Sequence, residues 1–405
     1  MIQNPEDRRR QREEAARLRA EQARKRRKIL LIAVASALAL IGVIVLIVSL
    51  AGGKKKNASK NEKKKVNETK IHIVAGGDLN ITDGVIASGG SNYDYTDAFM
   101  DVAPILSSGD LTLMNFEGTA CGEPFGGDGA SAPDNLLMAL RNAGVDALQL
   151  ANSFSIRQGI SGLHSTVNSV RNAKMFPLGV YSQADDKGYV VYDIQGIRVA
   201  VVAFTKGMEE GDRIPPAGEG CVNLLYTDYD TSYQDVDTKG IAKVLEKVEE
   251  EDPDITIAML HWGSKGNDTI SKTQKEIVEL MQNKGVDAII GTHSHRVQQM
   301  TLKDGKFVAY SLGDFFGDAT DSGSEYSVLL DLEIVKDNNT GEARIESFSY
   351  TPIYTVRENE SLRVVRLETA VEAYEKGYIQ RVSQETYESM QYAMDRIKKR
   401  ISGES

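Results

Sequence analysis

Six short apolar runs, each ending in polar or glycine-bearing sequence, constrain the fold of this 405-residue chain more than any other feature. They are IHIVAGGD (71–78), LTLMNFEG (111–118), VDALQLANS (145–153), DITIAMLHWG (254–263), VDAIIGTHSH (286–295) and FVAYSLGD (307–314). Their length and composition predict strands. Amphipathic stretches at roughly 134–143, 160–173, 235–250 and 271–284 predict helices, and 188–204 predicts a hairpin. This alternation predicts an α/β domain with a largely internal sheet.

An apolar run of 23 residues without charge, ILLIAVASALALIGVIVLIVSLA (29–51), precedes these strands. At about 1.5 Å per residue it is long enough to span a bilayer, whereas a cleaved signal peptide would have a shorter core. We therefore expect an uncleaved single-span anchor between a basic tail (1–28) and a solvated, lysine-rich tether (52–70). Residues 14–28 and 52–66 each contain 7 basic residues, so the positive-inside rule does not orient the span.

Charge is distributed unevenly along the chain. Residues 1–70 contain 19 Lys and Arg against 7 Asp and Glu, out of 48 and 58 in the whole sequence. The remainder has 48 − 19 = 29 basic and 58 − 7 = 51 acidic residues, a net charge of −22. A domain this acidic repels nucleic acid, so we exclude nucleic-acid binding.

Polar side chains with metal-binding chemistry stand where the apolar runs end. They are Asp78, Asn115 with Glu117, Asn152, His261, His293 with His295, and Asp314. In α/β sheets the carboxyl ends of the strands form the ligand crevice, so these side chains are expected to meet. An extended chain would also present His293 and His295 on the same side. Each residue alone is commonly a turn residue or cap, but together they predict a metal cluster.

Six of these segments (GGDLN, NFEG, ANS, HWG, GTHSH and YSLGDF) occur in the order and approximate spacing found in the capsule-synthesis CapA family. That family is linked to poly-γ-glutamate capsule formation and resembles the calcineurin-like metallophosphoesterases. The resemblance covers roughly residues 71–355. It implies a metallophosphoesterase-like four-layer sandwich, two sheets flanked by helices, behind a single N-terminal transmembrane helix. It also implies a cytoplasmic N-terminus and a main domain outside the cell membrane.

The resemblance also implies a set of metal ligands, namely Asp78, Glu117, Asn152, His261, His293 and His295. Oxygen and imidazole ligands of this kind suit Mn, Fe or Zn. Glu117 falls near the position of a bridging carboxylate. Asn80 stands where many phosphoesterases have a further ligand histidine. We therefore expect one tight divalent-metal site and a second site that is weak or absent.

Several positions depart from the family pattern. Ala151-Asn152-Ser153-Phe154 replaces Ala-Asn-Asn-His, so Phe154 occupies the position of the histidine that protonates the leaving oxygen. A phenylalanine cannot transfer a proton, and losing a positioned acid costs about 10²–10⁴-fold in rate. His164, on a predicted helix, is a weak candidate for a substitute acid. Asp314, where the family has Asn, either adds charge beside the metals or caps a turn, and the turn is favoured.

Other residues either are expected to be structural or have a role that the sequence does not decide. His72 lies inside the first strand and Trp262 follows a ligand, so both are expected to be structural. Cys121 and Cys221 either pair or stay free, and their number does not decide between the two. Residues 356–405 predict a C-terminal helical segment with an amphipathic stripe, which either covers the sandwich or meets a partner.

Taken together, these features predict a membrane-anchored, extracytoplasmic CapA-like protein in the synthesis or export of a capsule or poly-γ-glutamate-type polymer. It would bind metal with impaired or no hydrolase activity. Its expected partners are the membrane, other capsule-synthesis membrane proteins and an anionic polymer. The alternative is an active metal-dependent phosphoesterase acting on a surface or nucleotide phosphate. A third possibility is a metal-stabilised module that binds polymerase partners in the membrane.

Overall fold

The computed structural model describes residues 67–209, 211–318, 322–378 and 382–404. The predicted tail (1–28), the apolar run (29–51) and most of the tether (52–70) lie outside these residues. Within the described ranges, no helix is both long enough and apolar enough to cross a membrane. The anchor therefore stays a prediction from the sequence.

The described strands are, in chain order, β1 (Glu68–Asn80), β2 (Leu111–Glu117), β3 (Ala147–Gln149), β4 (Phe176–Leu178), β5 (Tyr189–Ile194), β6 (Ile197–Thr205), β7 (Ile255–His261), β8 (Ala288–Thr292), β9 (Met300–Lys303), β10 (Lys306–Ala309), β11 (Asp314–Phe316), β12 (Tyr326–Asp337), β13 (Ala343–Glu358) and β14 (Ser361–Arg366).

The described helices are α1 (Asp83–Ser88), α2 (Thr96–Phe99), α3 (Ala103–Leu106), α4 (Asp134–Ala143), α5 (Gly159–Asn172), α6 (Thr238–Glu249), α7 (Lys272–Asn283), α8 (Leu367–Glu375) and α9 (Gln384–Ser402). The predicted helices correspond to α4, α5, α6 and α7. The start of α7 is set by a capping box, in which Ser271 and Gln274 each bond the other's backbone amide.

The described strands form two sheets. The first has eight strands, in the order β14-β13-β12-β1-β2-β3-β4 with β11 also paired to β1. The second has six, in the order β5-β6-β7-β8-β10-β9. Strands β1 to β4 are parallel, as are β6, β7, β8 and β10, while β5 and β6 form the predicted hairpin. Each sheet therefore has a carboxyl edge at which several strands end together.

Strand β6 shows how the layers are built, because its side chains alternate between two cores. Val199 and Val201 belong to the larger core, which is shared by both sheets. Val202 and Phe204 point to the opposite face and pack with residues of α6 and α7. Each buried aliphatic side chain contributes roughly 1.5–3 kcal/mol. The two-sheet α/β architecture with flanking helices is therefore confirmed.

The prediction of a single strand at 307–314 is wrong in one respect. This segment contributes to two strands, which belong to different sheets. β10 pairs with β8 in the second sheet, whereas β11 pairs with β1 in the first. Gly313, with a φ of 82°, turns the chain between them. Glycine adopts this left-handed conformation without steric cost. Asp314 is consequently the first residue of a strand.

The C-terminal segment 356–405 is not helical throughout, which corrects the prediction. β13 continues to Glu358, and residues 361–366 form β14, the edge strand of the first sheet. Leu362 and Val364 are buried while their neighbours are more exposed, a period of two that is typical of a strand. The helices α8 and α9 follow, and α9 packs against β12 and β13. This segment therefore covers part of the sandwich.

Candidate metal centre

The carboxyl end of β1 carries Asp78, and a close backbone approach fixes its position. Asp78 pairs with Asp314 across β1 and β11, and its amide donates a hydrogen bond to the Gly313 carbonyl at 2.9 Å. A Cβ atom added at Gly77 would lie only 1.8 Å from that oxygen. The glycines of GGD and LGD thus allow two strands to approach until their aspartates are neighbours.

Strand β2 ends on Glu117, whose side chain is 2% exposed. Two residues earlier, Asn115 donates Nδ2 to Oδ1 of Asp78 at 2.6 Å. The Oε1 atom of Glu117 lies 3.1 Å from Nε2 of His261, the last residue of β7 in the other sheet. The carboxyl edges of the two sheets therefore meet at Glu117.

His261 is fully buried, and polar groups contact both of its ring nitrogens. Its Nδ1 lies 3.2 Å from the Thr292 hydroxyl, and its Nε2 lies 3.0 Å from the Ser153 hydroxyl. Because Nε2 also faces Glu117, it is the nitrogen directed at the acidic cluster. Neither Thr292 nor Ser153 stands out in the sequence as a site residue, since hydroxyl side chains are common in turns.

His293 and His295 reach the cluster by a route that their sequence spacing does not predict. The chain after β8 is not extended, because His293 has a φ of 87° and His295 a φ of 56°. Non-glycine residues in this region cost of order 1–3 kcal/mol and concentrate at functional sites. The expected strand alternation for this pair is wrong, although both imidazoles do face the cluster. Ring centroids of His293 and His261 lie 4.4 Å apart.

The described residues contain two groups whose ligand atoms all lie within 4.8 Å of one another. One consists of Glu117, His261 and His293, and the other of Asp78, Glu117 and His295. Glu117 belongs to both, as expected for a bridging carboxylate. A divalent cation that takes oxygen and imidazole ligands fits both groups by donor chemistry.

Unsatisfied buried atoms provide an independent test of that fit. Both ring nitrogens of His293 and the Oε2 atom of Glu117 are buried without a hydrogen-bond partner among the described residues. Leaving such polar groups unpaired costs about 1–3 kcal/mol each, and more for a charged group. A cation bound between these atoms would satisfy them, so the residues present fit a metal.

The electrostatics of the cluster agree with this conclusion. Burial and mutual repulsion raise the pKa of Asp78 to about 6 and that of Glu117 well above its usual value. Burial also holds the pKa of His261 and of His293 well below 6.5, so both rings keep free lone pairs at neutral pH. For His295 burial acts in the same direction, but the surrounding carboxylates outweigh it and raise its pKa to about 10.

Asn152 lies beside the cluster and holds the local backbone. Its Nδ2 donates to the Phe116 carbonyl at 2.6 Å and to Oδ1 of Asn115 at 3.1 Å. Its Oδ1 accepts the amide of Phe154 at 2.9 Å. Asn152 is therefore part of the hydrogen-bond network under the site, and its role as a metal ligand stays a prediction.

A cavity of about 140 Å³ opens onto the cluster. The residues that line it include Glu117, His293, His295, Asp314, Phe154 and Lys265. Phe154 is half-buried and packs against the main core. The ring thus stands at the site, as the motif comparison predicts, and offers no proton to a group bound in the cavity.

His164 does not reach the site, so its candidacy as a substitute acid is wrong. It lies on the exposed face of α5, and it does not line the cavity. The buried face of that helix is formed by other residues, including Leu163 and Val167. The helical period turns the side chain at 164 away from the core.

Other residues of note have structural roles. His72 bonds Asp331 on the neighbouring strand at 2.9 Å, and Trp262 donates its indole N–H to the Tyr310 carbonyl at 2.9 Å. Both contacts agree with the structural roles that the sequence predicts for His72 and Trp262. Cys121 and Cys221 are free thiols rather than a disulfide.

Asp314 is a site residue, although its sequence context favours a turn. It is buried in β11, and its Oδ1 lies 2.7 Å from Nδ1 of His295. The sequence does contain a signal for this role, namely an acidic residue where the resembling family has Asn. The strand break before Asp314, however, is not visible in the sequence. The turn assignment is therefore wrong.

Two sheets whose carboxyl edges meet at a cluster of carboxylates and imidazoles define a two-sheet α/β protein with a candidate metal centre. Its sequence matches the family described as "Bacterial capsule synthesis protein PGA_cap" over residues 72–319. The chain belongs to this family, and the predicted family resemblance is confirmed.

Curated relatives include two capsule proteins. The chain is 26% identical over 255 residues to the capsule biosynthesis protein CapA of Bacillus anthracis, covering 61% of this chain and 59% of the relative. It is 23% identical over 216 residues to the PGA biosynthesis protein CapA of Bacillus subtilis strain 168, covering 53% and 52%. The matches thus span between about half and three fifths of these relatives.

Solved structures with weaker similarity include the calcineurin-like phosphoesterase YfkN of Bacillus subtilis. That match has a TM-score of 0.42 and 16% identity, and it covers 80% of this chain and 99% of the other. A hypothetical protein from Thermus thermophilus matches with a TM-score of 0.43 and 14% identity, covering 70% and 98%. TM-scores this low support no conclusion about function.

Proposed function

We propose that this protein is a membrane-anchored, extracytoplasmic, metal-binding component in the synthesis or export of a capsule or poly-γ-glutamate-type anionic polymer. Family membership supports the process. One observation supports the metal-binding part of the proposal. The buried ring nitrogens of His293 and the Oε2 atom of Glu117 lack hydrogen-bond partners among the described residues. Mixed nitrogen and oxygen donors favour Mn, Fe or Zn.

The proposed protein has impaired hydrolase activity or none. A bound divalent cation would supply charge neutralisation and Lewis acidity toward an anionic oxygen. The chain itself would have to donate a proton to a poor leaving group. Phe154 lines the cavity and stands where the family resemblance places that donor, and His164 is exposed elsewhere. Binding of an anionic group is therefore favoured over its cleavage.

An active metal-dependent phosphoesterase is the second candidate. Two ligand groups that share Glu117 favour it, because paired cations suit phosphoryl chemistry. Phe154 argues against efficient turnover of esters with poor leaving groups. The natural substrate would then be a surface or nucleotide phosphate.

The anchor and the orientation rest on the sequence of residues 29–51 and on the family resemblance. Protease added to intact cells should cut the lysine-rich tether and release an acidic soluble fragment. If the fragment is protected until the cells are lysed, the main domain is inside and the proposed orientation is reversed.

The function is tested by replacing the native gene with the Glu117→Gln variant and measuring cell-associated anionic polymer. We expect loss of polymer, because the residue shared by both metal groups is neutralised. His72→Gln is the matched control, since His72 lies outside both groups and should leave polymer unchanged. Normal polymer from a stable Glu117→Gln protein that has lost its metal would contradict the proposed role of the metal site.

A further inference from the structure

Asp314 contacts the cluster without belonging to either metal group. Its Oδ1 lies 2.7 Å from Nδ1 of His295, and its Oδ2 accepts a hydrogen bond from Nδ2 of Asn80 at 2.8 Å. Both side chains of the Asp314–His295 pair are less than a tenth exposed, at 5% and 9%. Both oxygens of Asp314 thus contact neighbouring side chains, and Asp314 is in neither group of ligand atoms.

The pair determines which nitrogen of His295 can bind a cation. Because Asp314 accepts at Nδ1, the neutral ring keeps its one proton on that nitrogen and leaves its lone pair on Nε2. Nε2 lies 3.7 Å from Oε2 of Glu117, the carboxylate oxygen that has no hydrogen-bond partner among the described residues. Nε2 of His295 therefore faces the carboxylate shared by both metal groups, whereas Nδ1 lies 3.6 Å from Oδ2 of Asp78, the third member of the second group.

Asn80 completes this arrangement. Its Nδ2 donates to Asp314 and also lies 3.2 Å from Nδ1 of His295. A ring nitrogen that already donates to Asp314 cannot also accept from Asn80, so the bond to Asp314 is the one that Asn80 makes. Asn80 thereby orients the carboxylate, which in turn orients the imidazole.

We propose that Asp314 is a positioning residue that holds His295 with Nε2 toward Glu117, and so sustains the second metal group although Asn80 contributes no imidazole there. The inference rests on the metal-binding part of the proposed function. Carboxylates that accept from the far nitrogen of a ligating histidine fix its tautomer and raise its basicity. Loss of such a partner typically lowers metal affinity by about 10–100-fold.

The matched test is Asp314→Asn against Asp331→Asn in the full-length protein. Asparagine has the shape of aspartate but a single acceptor oxygen, so either His295 or Asn80 loses its acceptor. Asp331 makes a contact of the same type at a more exposed position, 2.9 Å from Nδ1 of His72 and outside both metal groups. The control therefore removes a carboxylate–histidine pair of the same kind from the same sheet.

Titration with Mn²⁺ should show a tight and a weak site in the wild-type protein. In Asp314→Asn we expect the weak site to lose about 10–100-fold in affinity while the tight site keeps its value. Asp331→Asn should match the wild type at both sites. Unchanged weak-site affinity in Asp314→Asn, or an equal loss at both sites, would overturn the positioning role. A wild-type protein that binds no Mn²⁺ would instead overturn the proposed metal function and the inference with it.

A second measurement separates positioning from a general structural effect. In the Zn²⁺-loaded protein, ¹⁵N spectra of labelled histidine should show His295 protonated at Nδ1. Asp314→Asn should shift or broaden the His295 signals and leave those of His72 unchanged. Identical His295 signals in both proteins would overturn the proposal even if the affinity fell.

Discussion

Nε2 of His261 lies 3.1 Å from Oε1 of Glu117, and this contact joins the carboxyl edges of the two sheets. One residue ends β7 and the other ends β2, so neither sheet alone contains the site. Their meeting creates a buried cluster in which Glu117 is shared by two groups of ligand atoms. Metal affinity, its pH dependence and the chemistry of the cavity all depend on this shared carboxylate.

The two metal groups should differ in affinity. His293 keeps a free lone pair at neutral pH because burial lowers its pKa, whereas His295 must lose a proton because its pKa is raised to about 10. Calorimetric titration with Mn²⁺ should therefore show His293→Ala losing the tight ion and His295→Ala affecting mainly the weak one. His72→Ala serves as the control. Two equally tight ions in the wild type would refute this division.

Metal binding should depend on pH differently at the two groups. The proton on His295 is retained until the pH passes about 10, so each ion bound there releases it. Below the pKa of His295, the release of one proton per ion should raise weak-site affinity roughly tenfold per pH unit between pH 7 and 9. The raised pKa of Glu117 affects both sites, but His261 and His293 are already neutral, so tight-site affinity should rise less steeply with pH than weak-site affinity. Equal slopes at both sites would contradict these assignments.

Phe154 should limit any hydrolase activity to esters with good leaving groups. An aryl phosphate leaves without a proton, whereas an alkyl phosphate needs one, so the unmodified protein should be weak on the first and inactive on the second. Phe154→His should raise alkyl-ester turnover by about 10²-fold or more, because it restores an acid in the cavity wall. Steady-state rates of both esters by both proteins with saturating Mn²⁺ provide the comparison.

Phe154→Leu is the matched control for that experiment, since it changes the ring without adding a proton donor. Robust alkyl-ester hydrolysis by the unmodified protein would mean that another group donates the proton. The phosphoesterase alternative would then be favoured.

Gly77→Ala should destabilise the fold severely. The added Cβ would lie 1.8 Å from the Gly313 carbonyl, so β1 and β11 would have to separate. We expect a loss of roughly 1–3 kcal/mol or more in the free energy of unfolding, measured by urea denaturation. Gly317→Ala is the control, because its nearest contact would be an ordinary 3.5 Å. Equal stability of the two variants would show that the close approach does not constrain position 77.

The strand ends and their chemistry could be predicted from the sequence because composition and period report directly on burial. Asp78, Glu117 and His261 lie together as expected for strands that end at one edge. The role of Asp314 could not be predicted, because it depends on the chain crossing between sheets at Gly313, a tertiary choice that no local pattern encodes.

Two further differences between the sequence predictions and the structure also arise from tertiary contacts or backbone conformation. His293 and His295 face the site through left-handed backbone conformations, which the sequence of a non-glycine loop does not reveal. The strand β14 (361–366) was hidden in a stretch with helical composition, because pairing with β13 overrides local propensity. Local sequence patterns thus predicted the strands and helices better than the pairing between them.

The metal content of the full-length protein, purified without chelator and measured by inductively coupled plasma mass spectrometry, tests the central claim most directly. We expect at least about one Mn, Fe or Zn ion per chain, with the content falling sharply in His293→Ala and not in His72→Ala. A folded wild-type protein that contains none of these ions, and takes up none when they are added, would contradict the account.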